Sequence, residues 1–275
     1  MKFDLHSHST YSDGWLRPAD LVARAAARRV AVLALTDHDE TGGLVEARFQ
    51  AQQAGVTLLD GVEISVTWQG QTIHVIGLHV DPAHPELAGG LARLREGRHA
   101  RAATIAAELE KAGVPGSLEG ARSYVTNREL VGRAHFARFL VERGYARDVQ
   151  AVFKKFLVAG KPGHVPHVWA GLDEAVRWII ASGGIAVLAH PGRYRLGGAQ
   201  REVLFGTFRD MGGAGMEVVT GSHTVDQYDL YARYADRYGL LASAGSDFHG
   251  PQESRCDLGG LPELPSGCVP VWSAW

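Results

Sequence analysis

His6-Ser7-His8 is the first group in the chain whose types and spacing could hold a metal ion. Alternate residues of a strand point to one side, so both imidazoles can face one ion while Ser7 turns away. Asp13 follows, and then come Thr36-Asp37-His38-Asp39, Gly61-Val62-Glu63, Thr72-Ile73-His74, Ala189-His190-Pro191 and Ser246-Asp247-Phe248-His249. A single buried histidine usually satisfies one hydrogen bond and does nothing more. Six such clusters, each read as lying at or near the C-terminal end of a strand, are hard to assign to packing. His6, His8, Asp13, His38, Glu63, His74, His190, Asp247 and His249 make nine candidate ligands. One four-coordinate ion uses fewer, so a cluster of two or three metals is expected. Nitrogen and carboxylate donors without a thiolate suit Mn²⁺, Fe²⁺ or Zn²⁺ better than Ca²⁺ or a structural zinc.

These residues need strands that end together. Short runs rich in β-branched residues read as strands at Lys2 to His6, Val30 to Thr36, Thr57 to Val66, Thr72 to Val80, Ile185 to His190, Gly215 to Val219 and Leu240 to Ala244. Helical spacing of apolar residues marks Pro18 to Arg29, Gly43 to Ala54, Leu172 to Ser182, Ala199 to Met211 and Val225 to Tyr238. The alternation predicts an α/β protein with a largely parallel sheet, whose loops meet at the C-terminal ends of the strands. One link differs: Trp68-Gln69-Gly70-Gln71 reads as the turn of a β-hairpin.

From about Glu86 to His164 the pattern is helical with no convincing strand, which predicts an inserted subdomain. Residues 86–165 are assigned to it, and 1–85 with 166–275 to the metal-binding body. Charge divides the same way. Between Arg98 and Val165 stand 12 Lys and Arg against 6 Asp and Glu, while the rest of the chain has 16 against 24. The net charge of −2 thus conceals a basic cap of +6 on an acidic body of −8, an arrangement that draws in an anionic ligand. Tyr124, Phe136 and Trp169 could stack on one base, but core packing is the better reading.

With 45% hydrophobic residues and 275 in all, the chain can bury a substantial core, and disordered or fibrous classes are excluded. No run is long and apolar enough to span a bilayer; the longest candidate, Trp178 to Ala189, is broken by Gly183 and Gly184. Asp4, His6 and His8 fall where a signal peptide needs apolar residues, so a cytoplasmic location is expected. Cys256 and Cys268 are too few for a disulfide scaffold and read as free thiols.

The motifs His6-Ser7-His8-Ser9-Thr10-Tyr11-Ser12-Asp13-Gly14, Thr36-Asp37-His38-Asp39, Gly61-Val62-Glu63-Ile64-Ser65, Ala189-His190-Pro191 and Gly245-Ser246-Asp247-Phe248-His249 resemble those of the PHP (polymerase and histidinol phosphatase) domain family. Within it, Gly132-Arg133-Ala134-His135-Phe136-Ala137 and Ala159-Gly160-Lys161-Pro162 resemble the subgroup of 3',5'-nucleoside bisphosphate phosphatases, also described as RNase AM. Ala134 departs from the usual Arg-Pro-His. The resemblance implies a distorted (β/α)7 barrel of the PHP type, with the small helical insert, around three metals, Mn²⁺ foremost. It assigns His6, His8, Glu63 and Asp247 to one ion, Glu63, His74 and His190 to a second, and Asp13, His38 and His249 to the third. Glu63, His190, Asp247 and His249 are the expected catalytic set.

Phosphate ester hydrolysis needs a nucleophile at neutral pH and relief of charge on the phosphoryl oxygens, and a metal-bridging hydroxide attacking in line meets both needs. Arg133, His135 and Lys161 in the insert, with Arg193 after His190, are expected to bind substrate phosphate. A metallic and a cationic phosphate site fit a 3',5'-bisphosphonucleotide that loses its 3'-phosphate. The resemblance also implies 5'-to-3' degradation of short 5'-phosphorylated oligoribonucleotides. A histidinol-phosphate phosphatase and a non-catalytic PHP module are the rival readings. No obligate protein partner and no membrane association are expected.

Overall fold

In the computed structural model, which describes residues 1–275, seven strands lie in one sheet in chain order. They are β1 (Phe3–Asp4), β2 (Val32–Leu35), β3 (Thr57–Trp68), β4 (Gln71–Leu78), β5 (Ile185–Leu188), β6 (Gly215–Thr220) and β7 (Leu241–Gly245). β1 to β3 are parallel, as are β5 to β7. Leu5 N–H donates to Ala244 O at 3.0 Å and His8 N–H to Phe248 O at 2.9 Å, bringing the first edge onto the last. The result is the distorted, nearly closed (β/α)7 barrel that the motifs imply.

The distortion has a local cause. Gln69 and Gly70 both take positive φ, 47° and 76°, the combination that a two-residue hairpin turn requires. β4 therefore runs antiparallel to both β3 and β5. His74 consequently sits in the N-terminal half of its strand, not at the C-terminal end expected from the sequence. Because the strand is reversed, that half lies opposite the C-terminal half of β3, with His74 paired to Ser65, and the side chain still reaches the same end of the barrel.

Around the sheet lie α1 (Pro18–Ala27), α2 (Leu44–Ala54), α7 (Leu172–Ala181), α8 (Gly198–Asp210) and α9 (Val225–Tyr238). The period-two alternation of the strands separates two environments. Val62, Ile64 and Val66 of β3 and Ile73 and Val75 of β4 face the outer helices in the largest apolar cluster, with Val176 and Ile179 of α7. Leu59, Ile76, Leu78 and Val187 turn inward and fill the interior with Leu5, Val32 and Val271. Further along these inward faces the apolar residues give way to Glu63 and His74. The interior is thus oily at one end and lined with metal-ligand types at the other.

The insert comprises α3 (Pro85–Lys111), α4 (Ser117–Arg122), α5 (Arg133–Glu142), α6 (Val149–Val152) and a π-turn at Phe153–Leu157. Leu87, Leu91 and Leu94 of α3 belong to the barrel's core, whereas Ala102, Ile105 and Leu109 of the same helix join a separate cluster with Phe136, Leu140 and Phe156. The changeover between the two apolar clusters falls inside α3, beyond Leu94. A rigid helix shared by both cores couples the insert to the barrel. No helix is long and apolar enough to cross a membrane, and both cysteines are free.

Candidate metal centre

The turn after β1 is built around a buried carboxylate. Asp37 accepts from Ser9 N–H at 2.8 Å, from Ser9 Oγ at 2.6 Å and from the Ser12 hydroxyl. Burial pushes its carboxyl up to about 6 against the pull of those hydroxyls. Ser7, facing away from the histidines, donates to Ala34 O at 2.7 Å. His6 and His8 are thereby held on one side of the strand and Asp13 is brought round to face them. Gly14 closes the turn, since a Cβ there would lie 2.3 Å from His8 O.

Three residues at this end carry positive φ without being glycine: Asp39 at 53°, His190 at 25° and Asp247 at 55°. Such backbone persists only where its surroundings fix it. Each is fixed by its own N–H: Asp39 to Glu63 O at 2.9 Å, Asp247 to His6 O at 2.9 Å, and His190 to the Glu217 carboxylate at 2.6 Å.

All nine candidate ligands converge. His6 Nε2 and His8 Nε2 stand 3.1 Å apart, and each is 3.4 Å from Glu63 Oε2 and from Asp247 Oδ1. Glu63 Oε1 lies 2.8 Å from His74 Nδ1 and 2.9 Å from His190 Nε2. Asp13 Oδ1 is 3.2 Å from His249 Nε2 and 3.7 Å from His38 Nε2. Three donors reach further than the implied grouping, since His6 also stands with Glu63 and His190. His8 joins Asp13, His38 and His249, while His38 also stands with Glu63 and His74.

The chemistry of this set fits a polynuclear metal site. Asp13 Oδ1, Glu63 Oε2, Asp247 Oδ1, His38 Nδ1 and His190 Nδ1 are buried without a hydrogen-bond partner, a cost that native interiors rarely leave uncompensated. Burial acts upward on the carboxyls, but His249 on Asp13, His74 on Glu63 and His6 on Asp247 outweigh it and hold all three well below the usual carboxylate range. Burial, reinforced by His249 and His38, pushes His8 down to about 3, and burial with Arg193 does the same to His190. Conversely, against burial, Asp13 pulls His249 up to about 9. Three ionised carboxylates in a buried pocket demand positive charge, and divalent cations supply it while using the lone pairs of neutral imidazoles.

The four expected phosphate ligands fare differently. His135 is a correction: its ring is fully buried, Nε2 lies 2.9 Å from Ser12 O and Nδ1 accepts from Gly132 N–H at 2.9 Å. With both nitrogens engaged by backbone, it has no donor for a phosphate; it caps α5 and pins the insert to the Ser12 turn. Burial lowers it to about 4. Lys161 stands exposed and makes no side-chain hydrogen bond or ion pair. Arg193 reaches the centre, Nη1 lying 2.9 Å from Asp247 Oδ2. Arg133 stacks over Phe153 at 5.7 Å and carries no ion pair.

Sequence reasoning missed Arg98 and Arg101. Arg98 donates to Asp39 Oδ2 at 2.7 Å and Ser65 Oγ at 2.8 Å, and both Arg98 and Arg101 lie over the Trp169 ring, at 4.7 and 5.5 Å. Arg101 has only Val165 O as acceptor. Burial above all, then the neighbouring Arg133 and Arg98, lower it to about 10. Trp169 is packed in the barrel core with the two arginines laid on its ring, and Phe136 is in the core of the insert. Of the remaining histidines, His223 accepts from Gly192 N–H at 2.9 Å and supports the loop that carries His190 and Arg193.

A mixed barrel with nine inward histidines and carboxylates at one end is the arrangement of a metal-dependent hydrolase of the PHP type. The model of the PHP domain family matches residues 4–157, and the chain belongs to that family. It is 51% identical over 269 residues to the 3',5'-nucleoside bisphosphate phosphatase of Chromobacterium violaceum, covering 98% of this chain and 94% of the relative. It is 44% identical over 278 residues to the 5'-3' exoribonuclease Rnm of Escherichia coli, covering 99% and 93%. Among solved structures, an amidohydrolase from Chromobacterium violaceum with bound sulfate and no metal superposes with a TM-score of 0.96 at 50% identity, covering 100% of this chain and 95% of the other.

Proposed function

We propose that the chain is a metal-dependent phosphoesterase that removes the 3'-phosphate of 3',5'-bisphosphonucleotides, and that short 5'-phosphorylated oligoribonucleotides are further substrates. The observation that carries this reading is the arginine group set beside the nine-residue centre, in which Arg101 and Arg133 have no carboxylate partner and Arg98 is paired with Asp39. Arg98 joins the two through Asp39 and Ser65, neighbours of His38 and Glu63. The names of the relatives support the same pair of substrates. Both reactions break a phosphoester at a 3'-oxygen while a 5'-phosphate serves as anchor.

His6, His8, Asp13, His38, Glu63, His74, His190, Asp247 and His249 would hold the metals, with Mn²⁺ the proposed ion and Glu63 the shared ligand. Bound there, the metals supply a hydroxide nucleophile at neutral pH and neutralise the phosphoryl oxygens. Arg193, tethered to Asp247, faces the scissile phosphate. Arg133 and Arg101 take the second phosphate, where planar guanidinium groups make paired hydrogen bonds. The helical segment 86–165 acts as the cap that carries this anchor.

Phosphate release from a 3',5'-bisphosphonucleotide, a 5'-mononucleotide and histidinol phosphate, each with Mn²⁺, tests the reading. The bisphosphate should turn over fastest; turnover of histidinol phosphate with none of the bisphosphate would refute it. Arg133→Ala should raise KM for the bisphosphate far more than for an aryl phosphate. Equal effects on the two would remove the anchor.

A further inference from the structure

The strand run Gly215-Met216-Glu217-Val218-Val219-Thr220 is buried throughout, and Glu217 is the one charged residue in it. Its carboxylate touches two elements of the barrel end. Oε1 lies 3.0 Å from His6 Nδ1 and Oε2 accepts from His190 N–H at 2.6 Å. The sheet is adjusted to place it: the register of β6 against β7 shifts between Glu217 and Val219. The facing residue is adjusted as well. A Cβ at Gly245 would stand 2.8 Å from Glu217 Oε1 and 2.3 Å from the His6 Cβ, so only glycine lets the carboxylate and the imidazole meet.

We infer that Glu217 is a positioning residue, selecting the Nδ1–H tautomer of His6 so that its Nε2 is bare toward the metals, and fixing the backbone of His190 so that its ring is held beside them. An ionised carboxylate can only accept, so a neutral His6 ring donates to it from Nδ1 and keeps the lone pair on Nε2. That Nε2 is the atom 3.1 Å from His8 Nε2 and 3.4 Å from Glu63 Oε2 and Asp247 Oδ1. Were the proton on Nε2, it would point into the middle of the donor set. At His190, the same carboxylate holds a residue at φ 25°, outside the conformations that a histidine ordinarily adopts. One side chain thus orients ligands from β1 and β5, on the two arms of the barrel that the reversed strand β4 separates in sequence. Carboxylates on the far nitrogen of a metal-bound histidine act in this way generally, and their loss costs about 10–100-fold in metal affinity.

The inference rests on reading the cluster as a metal centre, and glutamine at 217 is the substitution that probes it. Glu217→Gln keeps the shape and still offers an oxygen to His190 N–H, but its amide donates toward His6 and forces the proton onto Nε2. Glu217→Ala removes the contact and leaves His6 free to choose. The full-length chain, stripped with chelator, is titrated with Mn²⁺ alone while stoichiometry and affinity are measured, and the metal-free proteins are melted in parallel. Glu217→Gln should melt close to the parent yet bind one ion about 10–100-fold more weakly. It should bind that ion less tightly than Glu217→Ala, which should show the lower melting temperature. Heteronuclear NMR of the imidazole nitrogens in the unsubstituted chain loaded with diamagnetic Zn²⁺ should place the His6 proton on Nδ1. Unchanged Mn²⁺ affinity in Glu217→Gln, affinity falling only in step with melting temperature, or a proton on Nε2 overturns the assignment. A parent chain that binds no Mn²⁺ overturns the metal centre itself and this inference with it.

Discussion

Arg138, on α5 of the insert, has a side chain only 2% exposed. Nε and Nη2 grip Glu253 at 2.9 and 2.8 Å, Nη2 also donates to Asp13 O, and the guanidinium lies 4.6 Å from the Trp15 ring centroid. It therefore ties the insert both to the loop after β7 and to the turn that presents Asp13. Arg138→Met keeps the apolar stem and deletes the charge. Stranding the partner of a buried ion pair costs about 3–5 kcal/mol, but Glu253 is 23% exposed, so water recovers part of that. Adding back a cation–π contribution of about 1 kcal/mol, the expected loss is about 3 kcal/mol. Urea unfolding of the metal-free parent, Arg138→Met, Glu253→Gln and the double variant gives the coupling directly. The two residues should couple by about 2 kcal/mol, within the range for contacting pairs, and Arg138→Met should also weaken Mn²⁺ binding, because Asp13 loses its backbone anchor. A loss below about 1 kcal/mol with no coupling would refute the claim that this pair docks the insert.

His135 gives the pH dependence a defined window. Burial lowers its imidazole to about 4 in the folded chain, against an ordinary value near 6.5 when unfolded. Between those values the unfolded state binds more protons, so stability falls as pH falls, by about 3 kcal/mol over the interval. His135→Gln should flatten that slope in metal-free unfolding titrations, and an unchanged slope would assign it to other groups. Metal supply provides the last measurement: if the buried carboxylates are metal ligands, Mn²⁺ at about 100 times its Kd should add about 2.7 kcal/mol of stability. Indifference of the melting temperature to chelator and Mn²⁺ would count against the centre.

The nine candidate ligands were legible because a metal centre constrains residue type and strand position together, and both are written in the chain. Strand direction was legible too: Trp68-Gln69-Gly70-Gln71 allows only a hairpin, and the reversal of β4 that moves His74 to the other half of its strand follows from it. His135 misled for a definable reason. Arg-x-His in a basic segment resembles a phosphate ligand, but His135 is the third residue of α5, where a side chain turns back to the Gly132 N–H. Glu217 had a signal, a lone carboxylate inside a buried strand, which native proteins keep only when it is partnered; its partners lie far away in sequence and only the barrel joins them. Arg98 and Arg101 had none. They belong to a helix with charges along its length, and nothing local distinguishes an arginine in solvent from one laid on Trp169.

The separation of charge between body and insert takes a different meaning in the folded chain. Much of the basic insert is not free to attract an anion. Arg98 is spent on Asp39 and Arg138 on Glu253, while Arg122 and Lys111 pair within their own helices. The first two pairs cross from insert to barrel, so opposite charge serves first to dock one on the other. What remains beside the centre is Arg101 and Arg133, both without a carboxylate and both near Arg98. A cation held among cations is unfavourable unless an anion joins it, so docking Arg98 and Arg138 on the barrel leaves Arg101 and Arg133 unpaired at the place where a second phosphate would sit.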